Sequence, residues 1–372
     1  MRVVGRVVTP EGVLDDGVVE IDGGRIASVR PGPGVHNGHW IVPGFVDMHV
    51  HGGGGYTFTT GDPDQARGAA AFHRAHGTTT MLASLVSSPI ELMLAATRAY
   101  RPLVAEGVLA GVHHEGPYLS ESRCGAQNPR YLRDPSTDEL TGLIDAGEGT
   151  VRMVTIAPEL AGALDAIHLL VRHGVVAAIG HTDATYEQTR AAIATGATVG
   201  THVFNGMRPP HHRQPGPVFA LLAAPSVVCE FVADGTHLHD GTLTFATTVT
   251  GPDRAALVTD AMSAAGMPDG AYDLGQQPVL VSAGVARLAG GAAIAGSTLT
   301  MDAALRRAVH VGVPLVAACR MAATTPAAAL GLGTEVGAVR AGLRADLVEL
   351  SEDLHVVRVM RAGHWLDEDR LP

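Results

Sequence analysis

Two histidines one residue apart end the stretch Pro43-Gly-Phe-Val-Asp-Met-His49-Val-His51. The apolar run before them reads as a short buried strand, and on a strand residues i and i+2 share a face. His49 and His51 therefore set two imidazoles side by side, next to Gly52 to Gly55, where other groups can approach. Neutral imidazole is the commonest protein ligand for zinc-like ions. Further candidates end other apolar runs: Glu115 in His113-His114-Glu115-Gly116-Pro117, His181 in Gly180-His181-Thr182-Asp183, His202 before Asn205 and Gly206, His237 after Asp234-Gly235-Thr236, and Asp260 in Thr259-Asp260-Ala261-Met262. Several imidazoles and a spanning carboxylate can hold a pair of ions that activate water and polarise a carbonyl. His49, His51, His181 and His202 supply the imidazoles, and Glu115 is the natural bridge. Asp260 is placed to take the proton of an attacking water and hand it to a leaving amine.

Other polar residues carry plainer readings. His113 and His114 cannot both face the side of Glu115, and both are taken as structural. His211 and His212 belong to a solvated loop. Cys229 and Cys319 sit in apolar runs as inert core residues. Cys124, in a polar loop after the third strand, would be reactive only with a lowered pKa.

The elements that must position these groups follow from texture. Short alternating runs occur in residues 1–42, with a hairpin turn at Asp22-Gly23-Gly24, and again within 331–372. Their economical solution is one small β-sandwich built from both termini. Residues 43–330 alternate predicted strands at 45–50, 79–85, 108–114, 151–156, 175–180, 197–203, 227–232 and 255–259 with helices starting near Asp62-Pro63, Ser88-Pro89, Thr137, Ala161 and Ala184. Eight βα units predict an α/β fold, a (β/α)8 TIM-like barrel, with every candidate at the C-terminal rim, where barrel enzymes place their chemistry.

Composition narrows the partners. The 372 residues carry a formal net charge of -11, which argues against nucleic acid as a partner. Three scattered cysteines suggest a reducing compartment, and the cytoplasm is the expected location. No basic-then-apolar leader and no membrane span are expected.

The motifs PGFVDMHVHG, HHEGPYL, GHTDA, THVFNGM, ADGTHLH and VTDAM, with AGSTLTM and a terminal ADLVEL, resemble those of the N-acetylglucosamine-6-phosphate deacetylases of the amidohydrolase superfamily, over nearly the whole chain. The resemblance implies hydrolysis of the acetamide of N-acetylglucosamine 6-phosphate to glucosamine 6-phosphate and acetate. It implies one or two divalent ions per subunit, with zinc favoured and iron, manganese or cobalt also suited. Glu115, His181 and His202 would hold the principal ion, and His49 and His51 a second. Asp260 would be general base and then general acid. Asn205 and the Gly206 N–H would hold the sugar phosphate, and His237 would contact the sugar or its phosphate. Arg213 would reach the phosphate in a neighbouring subunit, making a homodimer. Ala295 and Gly296 would lie against the substrate. Where family members often carry a histidine, this chain has Gly125-Ala126-Gln127-Asn128-Pro129, which puts Ala126 and Gln127 among the substrate-binding residues, with Gln127 able to donate to the acetyl oxygen. Rival readings are a cyclic-amide hydrolase, a deacetylase of another amino sugar, and a catalytically silent metal- or sugar-binding regulator. Cyclic-amide hydrolases often bridge their metals with a modified lysine on strand 4, and the run 151–156 has none.

Overall fold

The computed structural model describes residues 1–32 and 38–366; the tail 367–372 of the expected terminal unit lies outside them. Eight parallel strands follow one another in sequence order: β1 (Phe45–Asp47), β2 (Thr78–Val86), β3 (Gly111–Glu115), β4 (Val151–Ile156), β5 (Val176–Ile179), β6 (Val199–Gly200), β7 (Val228–Val232) and β8 (Ala255–Val258). Asp260 N–H donates to the His49 carbonyl at 2.9 Å and His51 N–H to the Ala261 carbonyl at 2.7 Å, tying the end of β8 back to β1. Helices cover the outside, so strands read as unbroken apolar runs; every residue of β2 is buried. The capping chemistry explains where helices start. Asp62 accepts from the Asp64 and Gln65 amides ahead of the helix Pro63–Ala75, and Thr185 with Gln188 forms a capping box at Tyr186–Thr195. Among the described residues no helix is long and apolar enough to cross a membrane.

A seven-stranded sheet interleaves the termini. Trp40–Pro43 pairs with Arg2–Thr9 on one side and with Leu347–Leu350 on the other. Gly23 and Gly24, at φ 53° and 76°, make the hairpin turn after Gly12–Asp22, a conformation only glycine adopts without strain. The two ends of the sheet share an apolar cluster that includes Val3, Val19, Ile26, Leu347 and Met360.

Among the elements without a predicted counterpart, one bears on the site. After β8 a three-stranded antiparallel sheet, Gly270–Leu274, Gln277–Ser282 and Val285–Leu288, packs on Met262, Ala264, Ala295 and Val86. Two predicted strands fall furthest short of their expected length. The run 45–50 is strand only to Asp47, and 197–203 only at Val199–Gly200. The second shortening has a local cause: His202 has φ 27°, outside the β region.

His73, on the helix Pro63–Ala75, is fully buried and donates from Nε2 to the Gly52 carbonyl at 2.8 Å, bracing the glycine loop after His51. Burial pushes its pKa down to about 4. The unfolded chain binds this proton near pH 6.5 and the folded chain does not, so stability is expected to fall as pH drops through that window, by roughly 3 kcal/mol in total. Urea denaturation across the window should show a flatter acid slope for His73→Gln; an unchanged slope would contradict the assignment.

Candidate active site

At the C-terminal ends of the barrel strands lies a cavity of about 350 Å3. His51 enters its floor just past the end of β1, with His49 buried beneath it and their Nε2 atoms 3.2 Å apart. Glu115 ends β3. Its Oε1 lies 2.9 Å from both His181 Nε2 and His202 Nε2 and 3.5 Å from His49 Nε2. Its Oε2 lies 3.3 Å from His51 Nε2. Asp260 Oδ1 is 3.2 Å from His51 Nε2 and 3.6 Å from His49 Nε2. Groups from five strand ends thus meet at one point.

The tautomers follow from the outer partners. His51 Nδ1 faces the Ser84 carbonyl at 3.1 Å and His181 Nδ1 the Arg123 carbonyl at 2.9 Å. A carbonyl only accepts, so each Nδ1 carries the hydrogen and each Nε2 turns a lone pair inward. His49 Nδ1 donates in the same way to the Glu230 carboxylate at 3.0 Å. Lone pairs and two carboxylates crowded at these distances repel unless a positive species sits among them. Two overlapping donor groups result, His49 with Glu115 and His202, and His49 with His51 and Asp260. The donor chemistry, imidazole nitrogen plus carboxylate oxygen, fits zinc and its first-row neighbours.

The same crowding shifts the titrations. Burial opposes the charged form of His49, but the Glu230 and Glu115 carboxylates outweigh it and hold the ring well above its usual range. His51 is pushed up to about 9 against burial by Asp260 and Glu115. Burial also opposes ionisation of Asp260, yet its bond to His51 and the surrounding imidazoles hold its carboxyl below the usual value.

Three of these residues, His181, His202 and Asp260, have φ of 46°, 27° and 50°. Left-handed backbone is uncommon outside glycine and concentrates at functional sites. It turns each side chain off its strand direction and into the cavity. Gly206 is required by the same packing: a Cβ there would lie 2.8 Å from His181 Nδ1.

Of the remaining candidates, Ala126, Gln127, Asn205, Gly206, His237 and Gly296 line the cavity. His237 is held through Nδ1 by Asp234 at 2.7 Å. Gln127 is oriented at both ends of its amide, accepting from Ser87 N–H at 2.8 Å and donating to Glu115 Oε2 at 2.6 Å. Two candidates are not at the cavity wall. Ala295 is fully buried, with its N–H on the Ala286 carbonyl, because the added three-stranded sheet covers it. Arg213 is exposed on the 211–214 loop, away from the donor cluster of its own chain. His113 faces Ser84 Oγ and Thr155 Oγ1, and His114 faces Thr97 Oγ1, so neither ring joins the donors. Burial pushes the Cys124 thiol up, the opposite of what a reactive thiolate needs.

Two residues escaped the sequence reading. Arg287, from the added sheet, lines the cavity mouth. Glu230, inside β7, is fully buried and holds both His49 Nδ1 and the His202 N–H, each at 3.0 Å. Glu230→Gln is expected to weaken metal binding by about ten- to a hundredfold, as loss of an outer carboxylate partner commonly does. Metal content after dialysis against graded chelator checks this, and parent-like retention would contradict it.

A donor cluster at the mouth of a (β/α)8 barrel, beside a sheet drawn from both termini, is the arrangement of a metal-dependent hydrolase class, and the chain belongs to the amidohydrolase family, whose model matches residues 40–366. Within it, the fold superposes with a TM-score of 0.95 on an aspartate variant of N-acetyl-D-glucosamine-6-phosphate deacetylase from Mycobacterium smegmatis, solved in complex with N-acetyl-D-glucosamine-6-phosphate, at 48% identity over 98% of each chain. The chain is 37% identical to the N-acetylgalactosamine-6-phosphate deacetylase of Escherichia coli O157:H7 over 96% of this chain and 97% of that one. It is 35% identical to the N-acetylglucosamine-6-phosphate deacetylase of Vibrio furnissii over 94% and 90%.

Proposed function

We propose that this chain hydrolyses the acetamide of N-acetyl-D-glucosamine 6-phosphate to acetate and D-glucosamine 6-phosphate, as a step in amino sugar catabolism. The single observation that carries this is the convergence of Glu115, His181, His202, His49 and His51 with Asp260 in one cavity. The sequence and fold similarity to sugar-phosphate deacetylases selects the substrate class. Glu115, His181 and His202 would hold one divalent ion, with His49 and His51 holding a second, and zinc suits both. When bound, such an ion makes water more acidic and polarises the acetamide carbonyl. Asp260 accepts the proton of the attacking water and returns it to the amine nitrogen as the C–N bond breaks. Gln127, braced by Ser87, uses its second amide hydrogen to hold the acetyl oxygen, with Ala126 and Gly296 walling the sugar. Asn205, the Gly206 N–H and His237 hold the phosphate end.

Arg213 completes the phosphate grip from a second copy of the chain, in a homodimer of cytoplasmic enzyme. A guanidinium fork matches phosphate oxygens, and exposure on a loop suits a contact across an interface. Residues 43–330 form the catalytic unit, with 1–42 and 331–372 as its discontinuous companion. Arg213→Ala is expected to raise KM for the phosphorylated sugar about tenfold or more, leaving N-acetylglucosamine itself little affected. Equal losses on both substrates would remove Arg213 from the phosphate site.

The test is acetate release across a panel: N-acetylglucosamine 6-phosphate, its galactosamine epimer and both unphosphorylated sugars. The highest kcat/KM is expected for N-acetylglucosamine 6-phosphate. A preference for the epimer would reassign the substrate, and release from none of them would refute the activity.

A further inference from the structure

A second cavity, of about 240 Å3, lies on the opposite face of the barrel. It opens at the starts of β2, β3 and β4, where Thr80, Leu109 and Arg152 form its barrel side; Glu335, Arg344 and Arg361 form the other. None of these residues lines the catalytic cavity.

Its charges do not balance. Arg344 is bonded to Asp346, and Glu335 is taken by Arg25 at 2.8 Å. Among the described residues Arg361 reaches only the Thr79 and Gly107 carbonyls. Arg74 stands behind the wall; one of its nitrogens donates to the Val108 carbonyl, and its buried Nε has no partner. Arg152 has a buried Nε without a partner and no carboxylate within 4.0 Å among the described residues. With Arg25 counted, five guanidinium groups thus stand against two carboxylates, Asp346 and Glu335, and Arg74, Arg152 and Arg361 are left without a salt bridge among the described residues. Arg361 and Arg74 are each held below the usual arginine range, first by burial and then by a neighbouring arginine. Like charges crowded in a partly dry cleft are costly unless an anion joins them. Arg152 and Arg361, the two guanidinium groups that line the cleft without a carboxylate partner among the described residues, together match a dianion, and forked guanidinium donors match phosphate oxygens. The remaining wall, with Val104, Leu332 and Val336, is apolar, and the volume exceeds what a bare ion fills.

The geometry points to a second ligand site that takes a small phosphate monoester, its phosphate against Arg152 and Arg361 and its carbon body against Val104, Leu332 and Val336. This site is separate from the catalytic cavity and does not depend on the deacetylase assignment.

Calorimetric titration at fixed ionic strength, with inorganic phosphate and phenyl phosphate as probes, tests it. Phenyl phosphate is expected to bind more tightly than inorganic phosphate, in the parent and equally in a His237→Ala background that weakens phosphate binding in the catalytic cavity. Arg152→Gln should lower that affinity at least tenfold and leave acetate release within twofold of the parent. Arg152→Lys keeps the charge without the fork, and an intermediate loss is expected, which serves if the glutamine variant folds poorly. Undiminished affinity in both Arg152 variants would overturn the proposal. So would binding abolished by His237→Ala, or no binding of either probe.

Discussion

Asp260→Asn is expected to lower kcat roughly a thousandfold while the fold and the bound metal survive. The substitution is nearly isosteric and leaves the backbone ties of residue 260 intact, its N–H on the His49 carbonyl and its carbonyl taking the Ser297 N–H. What it removes is a carboxylate, held ionised by His51 and the neighbouring imidazoles, to which the proposed mechanism gives two proton transfers in sequence. General acid–base groups commonly contribute about a hundredfold to ten-thousandfold, and a residue used twice belongs toward the upper part of that range. Steady-state kinetics on the purified variant, with metal content and thermal midpoint as controls, gives the answer. Near-normal turnover would strip Asp260 of this role.

Glu115→Gln is expected to be still more damaging to metal binding. Both carboxylate oxygens of Glu115 face imidazole nitrogens, three on Oε1 and one on Oε2. The neighbouring imidazoles hold its carboxyl well below the usual range in spite of complete burial. An amide of the same shape cancels the charge and turns two hydrogens toward groups that need an anion. Loss of an outer-shell partner already costs about ten- to a hundredfold in metal affinity, so loss of this residue should cost at least about a hundredfold. Metal per chain by elemental analysis should fall toward zero, and acetate release should recover in part with excess metal. Parent-like metal content would show that Glu115 does not hold the metal.

The site was legible in sequence where chemistry and strand period coincide. His49 and His51 stood out because alternation on a strand puts both rings on one face. Glu115, His181, His202 and Asp260 stood out because each follows an apolar run. The barrel was legible because buried parallel strands are apolar throughout and their helices carry capping residues. Less visible was the backbone that aims the rings. Nothing in the residue types of His181, His202 and Asp260 announces left-handed conformations, and the predicted strand at 197–203 overran for that reason. Glu230 was hidden inside Val228–Val232, where an acid looks like a lapse in an apolar strand. Its partner His49 lies 181 positions away. The available cue was energetic: a carboxylate in a buried strand must be paired. The added sheet at 270–288 was lost to the eight-strand template, although Gly275 and Gly284 mark its turns. That sheet brings Arg287 to the cavity and covers Ala295, so the missed residue and the displaced candidate share one cause.

Acetate release by the chelator-stripped protein, followed as divalent metal is added back, tests the central claim most directly. Hydrolysis of N-acetylglucosamine 6-phosphate should be lost on stripping and return in proportion to metal bound, saturating at one or two ions per chain. Full turnover by metal-free protein would contradict it.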